Sequence, residues 1–206
     1  MKRKIIFLDI DGVLQPFESQ ERFANIVHGE GRKTCNPELY KHLESYLEID
    51  FRDEKYHPYD LAAVYYDWDK TAVTLLKVIL EYTHAEIVLS SDWRTMGFDM
   101  IKDYFAIHGL DKYFIDVTKY YSDIDEDFIK KTKEERGEII RYLDGSSYLN
   151  ISWRSVEILE WLNRNPDVNK WAAIDDRPLT ELGKHFVQTD SSIQEEHAVK
   201  CLKLLK

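Results

Sequence analysis

The stretch IIFLDIDGV, residues 5–13, decides the fold that we expect for this chain. It is apolar for four residues and then acidic. A continuous apolar run of this length is typical of a strand that helices cover on both faces. Two later stretches, EIVLSS at 86–91 and WAAIDD at 171–176, have the same form and also end in hydroxyl or acidic residues. We therefore expect three buried strands that carry polar side chains at their carboxyl ends.

Helical patterns lie between these strands. Apolar residues recur at helical spacing over residues 71–82, 96–108 and 193–205, and Ser152 is a candidate cap for a further helix. Two weaker strand candidates are residues 113–118 and 185–189. Because strand and helix alternate, we expect an α/β fold, a three-layer Rossmann-like parallel sheet with helices on both faces.

Residues 15–69 interrupt this alternation and hold ten of the chain's 27 aromatic residues. The segment is too long for a plain loop in a compact domain. We interpret it as a small inserted cap or lid after the first strand, partly helical around residues 37–47. The α/β core then consists of residues 1–14 and 70–206. The aromatic residues either pack the lid, which we favour, or form a platform on which a nucleobase stacks. Three basic residues are candidates to assist such stacking: Arg22, Arg32 and Lys33.

Length and charge limit the classes of function. A chain of 206 residues is expected to form one domain, here with a small insert. Its net charge of −10 argues against binding of long nucleic acid or of an anionic membrane, but leaves room for a nucleotide or an RNA end in a local basic pocket. Cys35 and Cys201 form no CxxC pair, and the apolar run at the start is too short for a signal peptide or a membrane span. We expect a cytoplasmic protein.

The polar strand ends predict a single site. Ligands of open parallel sheets bind beyond the carboxyl ends of the strands. Two carboxylates about 4 Å apart repel by roughly 4 kcal/mol at an effective dielectric constant of ~20, so protons or a cation must compensate. Hard oxygen ligands favour Mg²⁺, which also accepts phosphate oxygens. The sequence therefore predicts a Mg²⁺ site for a small phosphorylated substrate, built from Asp9, Asp11, Ser90, Ser91, Asp175 and Asp176.

Several motifs resemble those of the haloacid dehalogenase-like (HAD) superfamily of phosphohydrolases. DIDGV at 9–13, after an apolar strand, resembles the first motif, LSS at 89–91 the second, and IDD at 174–176 the acidic fourth. Arg154 fits the cation of the third motif, with two competing choices, Arg136 and Lys133. The wider pattern of SSDWR, RSVEILEWLNRNPDV and WAAIDD is similar to the HAD domain of RNA-repair proteins. The resemblance covers most of the chain, but not residues 15–69.

The resemblance implies catalytic roles for four residues. Asp9 resembles the nucleophile that becomes a transient aspartyl-phosphate. Asp11 resembles the general acid that protonates the leaving oxygen and later activates water. Ser90 would hydrogen-bond a phosphoryl oxygen, and Arg154 would neutralise charge on the transferring group.

The resemblance also implies a metal site and substrate contacts. Mg²⁺ would be bound by Asp9, by Asp176 and by the backbone carbonyl of Asp11, with support from Asp175. Gly12, Ser91 and Arg94 are the candidate substrate-binding residues. Gly12 suits the unusual backbone needed where the chain leaves a strand beside a ligand. Arg94 has an alternative, an ion pair with one of two acids, Asp92 or Glu86.

The favoured function is therefore that of a Mg²⁺-dependent phosphomonoester hydrolase. A sharper alternative is a nucleotide or RNA-end phosphatase in nucleic-acid repair. A third is a regulatory module that binds phosphate or metal without turnover, and the presence of both Asp9 and Asp11 argues against it.

Overall fold

A computed structural model of the chain describes residues 2–28, 33–143 and 145–206. Its strands are β1 (Arg3–Leu8), β2 (Ile26–His28), β3 (Lys33–Cys35), β4 (Glu86–Leu89), β5 (Phe114–Val117), β6 (Glu138–Arg141), β7 (Ser147–Asn150), β8 (Val168–Asp175) and β9 (Phe186–Gln188). Its α-helices are α1 (Glu21–Ala24), α2 (Pro37–Glu44), α3 (Pro58–Ala62), α4 (Lys70–Thr83), α5 (Phe98–Ile107), α6 (Glu126–Arg136), α7 (Trp153–Arg164) and α8 (Glu195–Leu205). Short π- or 3₁₀-helical segments span Ala63–Asp67, Asp92–Met96, Tyr121–Asp123 and Thr180–His185.

Five of these strands form one parallel sheet in the order β5–β4–β1–β8–β9. β1 lies at its centre, and its Leu8 is in register with Leu89 of β4 and with Ile174 of β8. The predicted α/β sheet is confirmed, since the three strong strand candidates are neighbours within it. The next residue along each of these strands is polar and lies at the same edge of the sheet: Asp9, Ser90 and Asp175.

Alternate residues of β1 face opposite layers. Ile6 and Leu8 belong to a buried cluster with side chains of α4, α5 and α8, whereas Ile5 and Phe7 belong to a second cluster with α7. The Phe7 ring meets the Trp161 ring edge-on at 5.4 Å. Because both faces of the strand are covered, its apolar run is continuous rather than alternating. The predicted three-layer arrangement is confirmed.

The predicted helices match α4, α5, α7 and α8 to within a few residues. Asp69 fixes the start of α4, because its carboxylate accepts the backbone N–H of Ala72 at 2.6 Å. Ser152 does occupy the N-cap position of α7, but its side chain caps no backbone N–H among the described residues. Its own N–H instead donates to Glu181 Oε1 at 2.8 Å. The helix was predicted correctly, and the capping role of the Ser152 hydroxyl was wrong.

The segment 15–69 contains α1, α2, α3 and an antiparallel hairpin of β2 with β3. Its side chains Tyr40, Phe51, Tyr56 and Trp68 are buried in the same cluster as α4 and α5. These aromatic residues therefore pack the core, in line with the favoured interpretation. A role of the segment as a lid stays a prediction.

Two of the basic residues expected to assist a nucleobase are engaged within this segment. Arg22 forms an ion pair with the buried Asp67. Lys33 Nζ donates to the Tyr59 hydroxyl at 2.8 Å. Arg32 lies outside the described residues.

The sequence did not predict α6 and the antiparallel hairpin of β6 with β7, which lie between β5 and α7. Of the described side chains of α6, Thr132 is the buried one. Ile139, Tyr142, Leu143 and Tyr148 are exposed on the hairpin and its turn. These elements bury few apolar residues, so the sequence lacks the periodicity that identified the others.

No helix in the described ranges is both long and apolar enough to cross a membrane.

Candidate active site

Three carboxylates meet at the carboxyl edge of the sheet. Asp9 directly follows β1, Asp175 ends β8, and Asp176 is the next residue. One oxygen from each lies within 4.8 Å of the others. Asp9 is 4% exposed and Asp175 is 1% exposed, so two of the three charges are shielded from water. The register of β1 with β8 brings these acids together from opposite ends of the sequence.

Burial and the Asp9 charge raise the pKa values of Asp175 and Asp176. Burial, followed by the neighbouring Asp9 carboxylate, raises the pKa of Asp175 to about 7. The same two causes, in the same order, raise the pKa of Asp176 above its ordinary value. The cluster therefore holds more negative charge than its surroundings stabilise, and a cation bound to it would relieve the repulsion.

Arg154 supplies one positive charge to this cluster. It lies in the first turn of α7, is 4% exposed, and places Nη1 3.2 Å from Asp9 Oδ2 and 3.3 Å from Asp175 Oδ2. Nη1 also donates to the backbone carbonyl of Ser90. One guanidinium group thus contacts the ends of three strands. Burial acts to lower the pKa of Arg154, but the surrounding carboxylates, led by Asp9, outweigh burial and raise it.

The other two candidate cations, Arg136 and Lys133, contact residues outside the acidic cluster. Arg136 Nη1 donates to the backbone carbonyl of Glu181 at 3.3 Å. Lys133 Nζ lies 5.9 Å from the centre of the Tyr121 ring. Of the three candidates, Arg154 is the one that the structure places beside Asp9.

Two further acids surround Arg154, and sequence reasoning missed both as site residues. Asp92 Oδ1 lies 3.4 Å from Arg154 Nη2, and Asp92 Oδ2 lies 3.3 Å from Arg177 Nη2. Glu157, one helical turn after Arg154, has Oε2 4.0 Å from Arg154 Nε. The spacing of Glu157 three residues after Arg154 was the available signal, since residues three apart are neighbours on a helix.

The two serines after β4 have different environments. Ser90 Oγ is buried and forms no hydrogen bond within the described parts of the chain. An unsatisfied buried hydroxyl at this edge fits a ligand oxygen. Ser91 is fully buried, and its Oγ accepts the backbone N–H of Trp93 at 3.4 Å. The structure gives Ser91 a capping role and does not support its assignment to substrate binding.

Asp11 lies beside the cluster and is held by two donors. Trp93 Nε1 donates to Oδ2 at 3.0 Å, and Gln15 Nε2 donates to Oδ1 at 3.0 Å. Burial raises the pKa of Asp11, the indole hydrogen bond opposes this, and the Asp9 charge adds to it. Asp11 is not among the three acids that converge on a common point in the described structure. Trp93 and Gln15 were not predicted as its partners.

Gly12 permits the close approach of two loops. Its φ is +71°, and a Cβ atom there would lie 2.7 Å from Cβ of Asp176. Its N–H donates to the carbonyl of Gln15 at 2.8 Å, and its carbonyl accepts Thr189 Oγ1 at 2.7 Å. The expected unusual backbone is present. Both backbone groups have partners within the protein, and the contact of Gly12 with a substrate stays a prediction.

Arg94 is buried in a network next to the cluster. Its Nη2 pairs with Glu157 Oε1 at 2.9 Å, and its Nη1 donates to Thr118 Oγ1 at 3.3 Å. Its guanidinium group lies over the Tyr120 ring at 4.4 Å. The two ion pairs considered from the sequence were wrong, since Glu86 pairs with Arg3 and Asp92 pairs with Arg154 and Arg177. Arg94 lines the cleft that adjoins Arg154 and is within reach of a ligand there.

The donor set fits a divalent cation of the Mg²⁺ type. Asp9, Asp175 and Asp176 each offer a carboxylate oxygen, and these are hard ligands of the kind that Mg²⁺ prefers. Two of the three have raised pKa values, which indicates charge that a bound cation would stabilise.

Comparison with known proteins identifies a family. Residues 5–198 match the family model of the HAD domain in Swiss Army Knife RNA repair proteins. The match runs through residues 15–69, which the motif resemblance alone did not cover. No curated protein and no solved structure matches the chain.

Proposed function

This chain belongs to the family of HAD domains in Swiss Army Knife RNA repair proteins, and from that premise we propose that it is a Mg²⁺-dependent phosphomonoester hydrolase. The convergence of Asp9, Asp175 and Asp176 beside Arg154 carries the proposal. Membership supports a HAD-family phosphohydrolase in general. The metal, the covalent step and a small phosphorylated substrate are our inference from the resemblance to the HAD superfamily and from the arrangement of these residues.

In the first step, a carboxylate oxygen of Asp9 attacks the phosphorus atom. A bond forms between that oxygen and phosphorus, and the bond from phosphorus to the leaving oxygen breaks. Asp11 gives its proton to the leaving oxygen, which departs as an alcohol. Burial raises the pKa of Asp11 and so favours the protonated form that this step needs.

In the second step, water attacks the phosphorus of the aspartyl-phosphate. Asp11, now ionised, accepts a proton from this water, and the bond between Asp9 and phosphorus breaks. Inorganic phosphate leaves and both aspartates return to their starting states. Trp93 and Gln15 hold the Asp11 carboxyl group in one orientation for both proton transfers.

Two side chains are positioned to stabilise negative charge on the transferring phosphoryl group, Arg154 and Ser90. The Arg154 guanidinium lies against Asp9, so it is positioned to pair with phosphoryl oxygens as negative charge develops. The free Ser90 hydroxyl can donate to one of these oxygens. When bound by Asp9, Asp176, Asp175 and the Asp11 carbonyl, Mg²⁺ would neutralise phosphoryl charge.

The test is hydrolysis of p-nitrophenyl phosphate by the purified protein, with Mg²⁺ and with EDTA. We expect turnover with Mg²⁺ only, and its loss in Asp9→Asn. Asp127→Asn, at an exposed acid of α6, is the matched control. Undiminished turnover by Asp9→Asn would remove the proposed nucleophile. Binding of Mg²⁺ and phosphate without turnover of any phosphomonoester would instead favour the regulatory module.

A second variant separates the roles of the two aspartates of the first motif. Asp11→Asn is expected to keep Mg²⁺ affinity better than turnover, because the proposed metal contact of Asp11 is its backbone carbonyl. Isothermal titration with Mg²⁺ and steady-state kinetics measure the two quantities. Equal losses in both would contradict this division.

A further inference from the structure

We propose that the cleft next to Arg154 is a nucleoside subsite, in which the base of a phosphorylated nucleoside stacks on Trp153. The proposal rests on the phosphomonoesterase function and deepens it, because it names the group that carries the phosphoryl. We call this feature the arginine cleft. Its basic and aromatic lining residues are Arg94, Tyr120, Tyr121, Trp153, Arg154 and Arg177, and three acids also line it: Asp92, Glu157 and Glu181.

The arginine cleft adjoins the candidate phosphoryl site through Arg154. Arg154 lines the cleft and at the same time lies 3.2 Å from Asp9. A ligand whose phosphoryl group contacts Asp9 and Arg154 can therefore extend its remaining atoms into the cleft. The cavity has a volume of about 680 Å³, within the range of roughly 300–1,000 Å³ that is typical of small-molecule sites.

The wall of the cleft carries an exposed aromatic surface. Trp153 is 69% exposed, although indole side chains are usually well buried. The Tyr121 ring stacks against it with centroids 5.4 Å apart and planes 23° apart, which fixes the orientation of the pair. A base that stacks on Trp153 would cover apolar surface that now faces water. Stacking of this kind tolerates any base, since every base has a π-face.

The guanidinium groups of Arg154 and Arg177 in the cleft also suit a phosphorylated ligand. Asp92 is exposed and lies between two guanidinium groups, 3.4 Å from Arg154 Nη2 and 3.3 Å from Arg177 Nη2. Its carboxylate thus occupies an anion position at the mouth of the cleft. A phosphate oxygen can take over the contact with Arg177 when Asp92 swings into solvent, because both partners of the Asp92–Arg177 pair are exposed and such pairs are weak. The net charge of −10 argues that one nucleotide rather than a long strand is bound.

Equilibrium binding tests the subsite apart from catalysis. The protein is Asp11→Asn with Mg²⁺, and the probes are adenosine 5′-monophosphate, adenosine 3′-monophosphate and ribose 5-phosphate. We expect one adenosine phosphate to bind at least tenfold more tightly than the sugar phosphate. Adding Trp153→Ala should reduce that preference about tenfold, or ~1.4 kcal/mol, whereas Trp153→Phe should retain part of it. Because Trp153 is exposed, neither change should unfold the protein.

A matched control and a longer ligand sharpen the result. Tyr82→Ala removes another exposed aromatic side chain, on α4, and should leave the preference unchanged. A tetraribonucleotide that ends in the favoured adenosine phosphate is the second arm. Tighter binding of the tetranucleotide would identify strand ends as the source of the ligand, and tighter binding of the mononucleotide would identify free nucleotides. Both results support a nucleoside subsite.

The two proposals fail in different ways. Equal binding of ribose 5-phosphate and both adenosine phosphates, or a preference that survives Trp153→Ala, overturns the nucleoside subsite even if the wild-type protein hydrolyses phosphomonoesters. Absence of hydrolysis with every substrate, together with binding that depends on Trp153, overturns the enzyme and retains the subsite.

Discussion

Replacement of Asp175 by asparagine is expected to stabilise the metal-free protein at pH 8. In the folded state Asp175 is buried beside Asp9, and its pKa is raised from 3.8 to about 7 by burial and then by that neighbour. At pH 8 the wild-type chain must fold with this carboxylate ionised. Asparagine is uncharged and keeps an oxygen that can accept the backbone N–H of Arg177, as Asp175 Oδ1 does at 2.9 Å. Arg154 loses its contact with Asp175 Oδ2 at 3.3 Å, but it keeps its contact with Asp9 at 3.2 Å.

The magnitude and its pH dependence follow from linkage. A rise from 3.8 to about 7 is about 3 pKa units, and at 1.36 kcal/mol per unit this amounts to about 4 kcal/mol in the free energy of unfolding. The folded state binds more protons than the unfolded state between these two pKa values, so wild-type stability falls as the pH rises from about 4 to about 7. The advantage of Asp175→Asn should therefore be absent near pH 4 and complete near pH 8.

Urea unfolding in EDTA, at pH 4 and pH 8, measures this difference. Glu48→Gln, at an exposed acid, is the control and should behave as the wild type does at both pH values. With Mg²⁺ present the difference should narrow at pH 8, because the wild-type protein gains ligand-linked stability that the variant partly loses. A metal-free variant that is less stable than the wild type at pH 8 would refute the reasoning.

Two other substitutions test the geometry around the acids. Gly12→Ala should lower the free energy of unfolding by about 1–3 kcal/mol and should also weaken Mg²⁺ binding, since its Cβ would lie 2.7 Å from Cβ of Asp176. Gly145→Ala also has a positive φ but no described atom within 4 Å, so it should lose stability alone, and equal Mg²⁺ affinities in the two variants would contradict the clash. Trp93→Phe removes the indole N–H that contacts Asp11 at 3.0 Å. It should lower kcat roughly 10- to 100-fold without changing Mg²⁺ affinity, because a hydrogen bond to a charged group is worth about 1.5–3 kcal/mol. Steady-state kinetics would contradict a positioning role for Trp93 if kcat were unchanged.

The sequence predicted the strands and helices whose buried residues form a recognisable pattern of apolar residues. β1, β4 and β8 are covered on both faces, so their apolar runs are continuous and their polar ends stand out. Parallel strands share one carboxyl edge, and this geometry alone places Asp9 near Asp175. α6 and the hairpin of β6 with β7 escaped prediction because few of their residues are buried.

The site residues that sequence reasoning missed depend on contacts between distant segments. Asp92 was considered only as a partner of Arg94, and its contact with Arg154 arises because α7 begins next to the turn after β4. The hydrogen bond from Trp93 to Asp11 likewise joins two strand ends that are far apart in sequence. Hydrophobic periodicity indicates which residues of a segment are buried. It does not indicate which side chains of another loop these residues contact.

The central position of β1 sets the order in which the site can be assembled during synthesis. β1 leaves the ribosome early, but its two neighbours in the sheet, β4 and β8, follow much later along the chain. Asp9 therefore has neither Arg154 nor Asp175 beside it until α7 and β8 have emerged. A nascent chain cut short before β8 would have the proposed nucleophile but no completed pocket, so the proposed phosphoryl transfer would require β8.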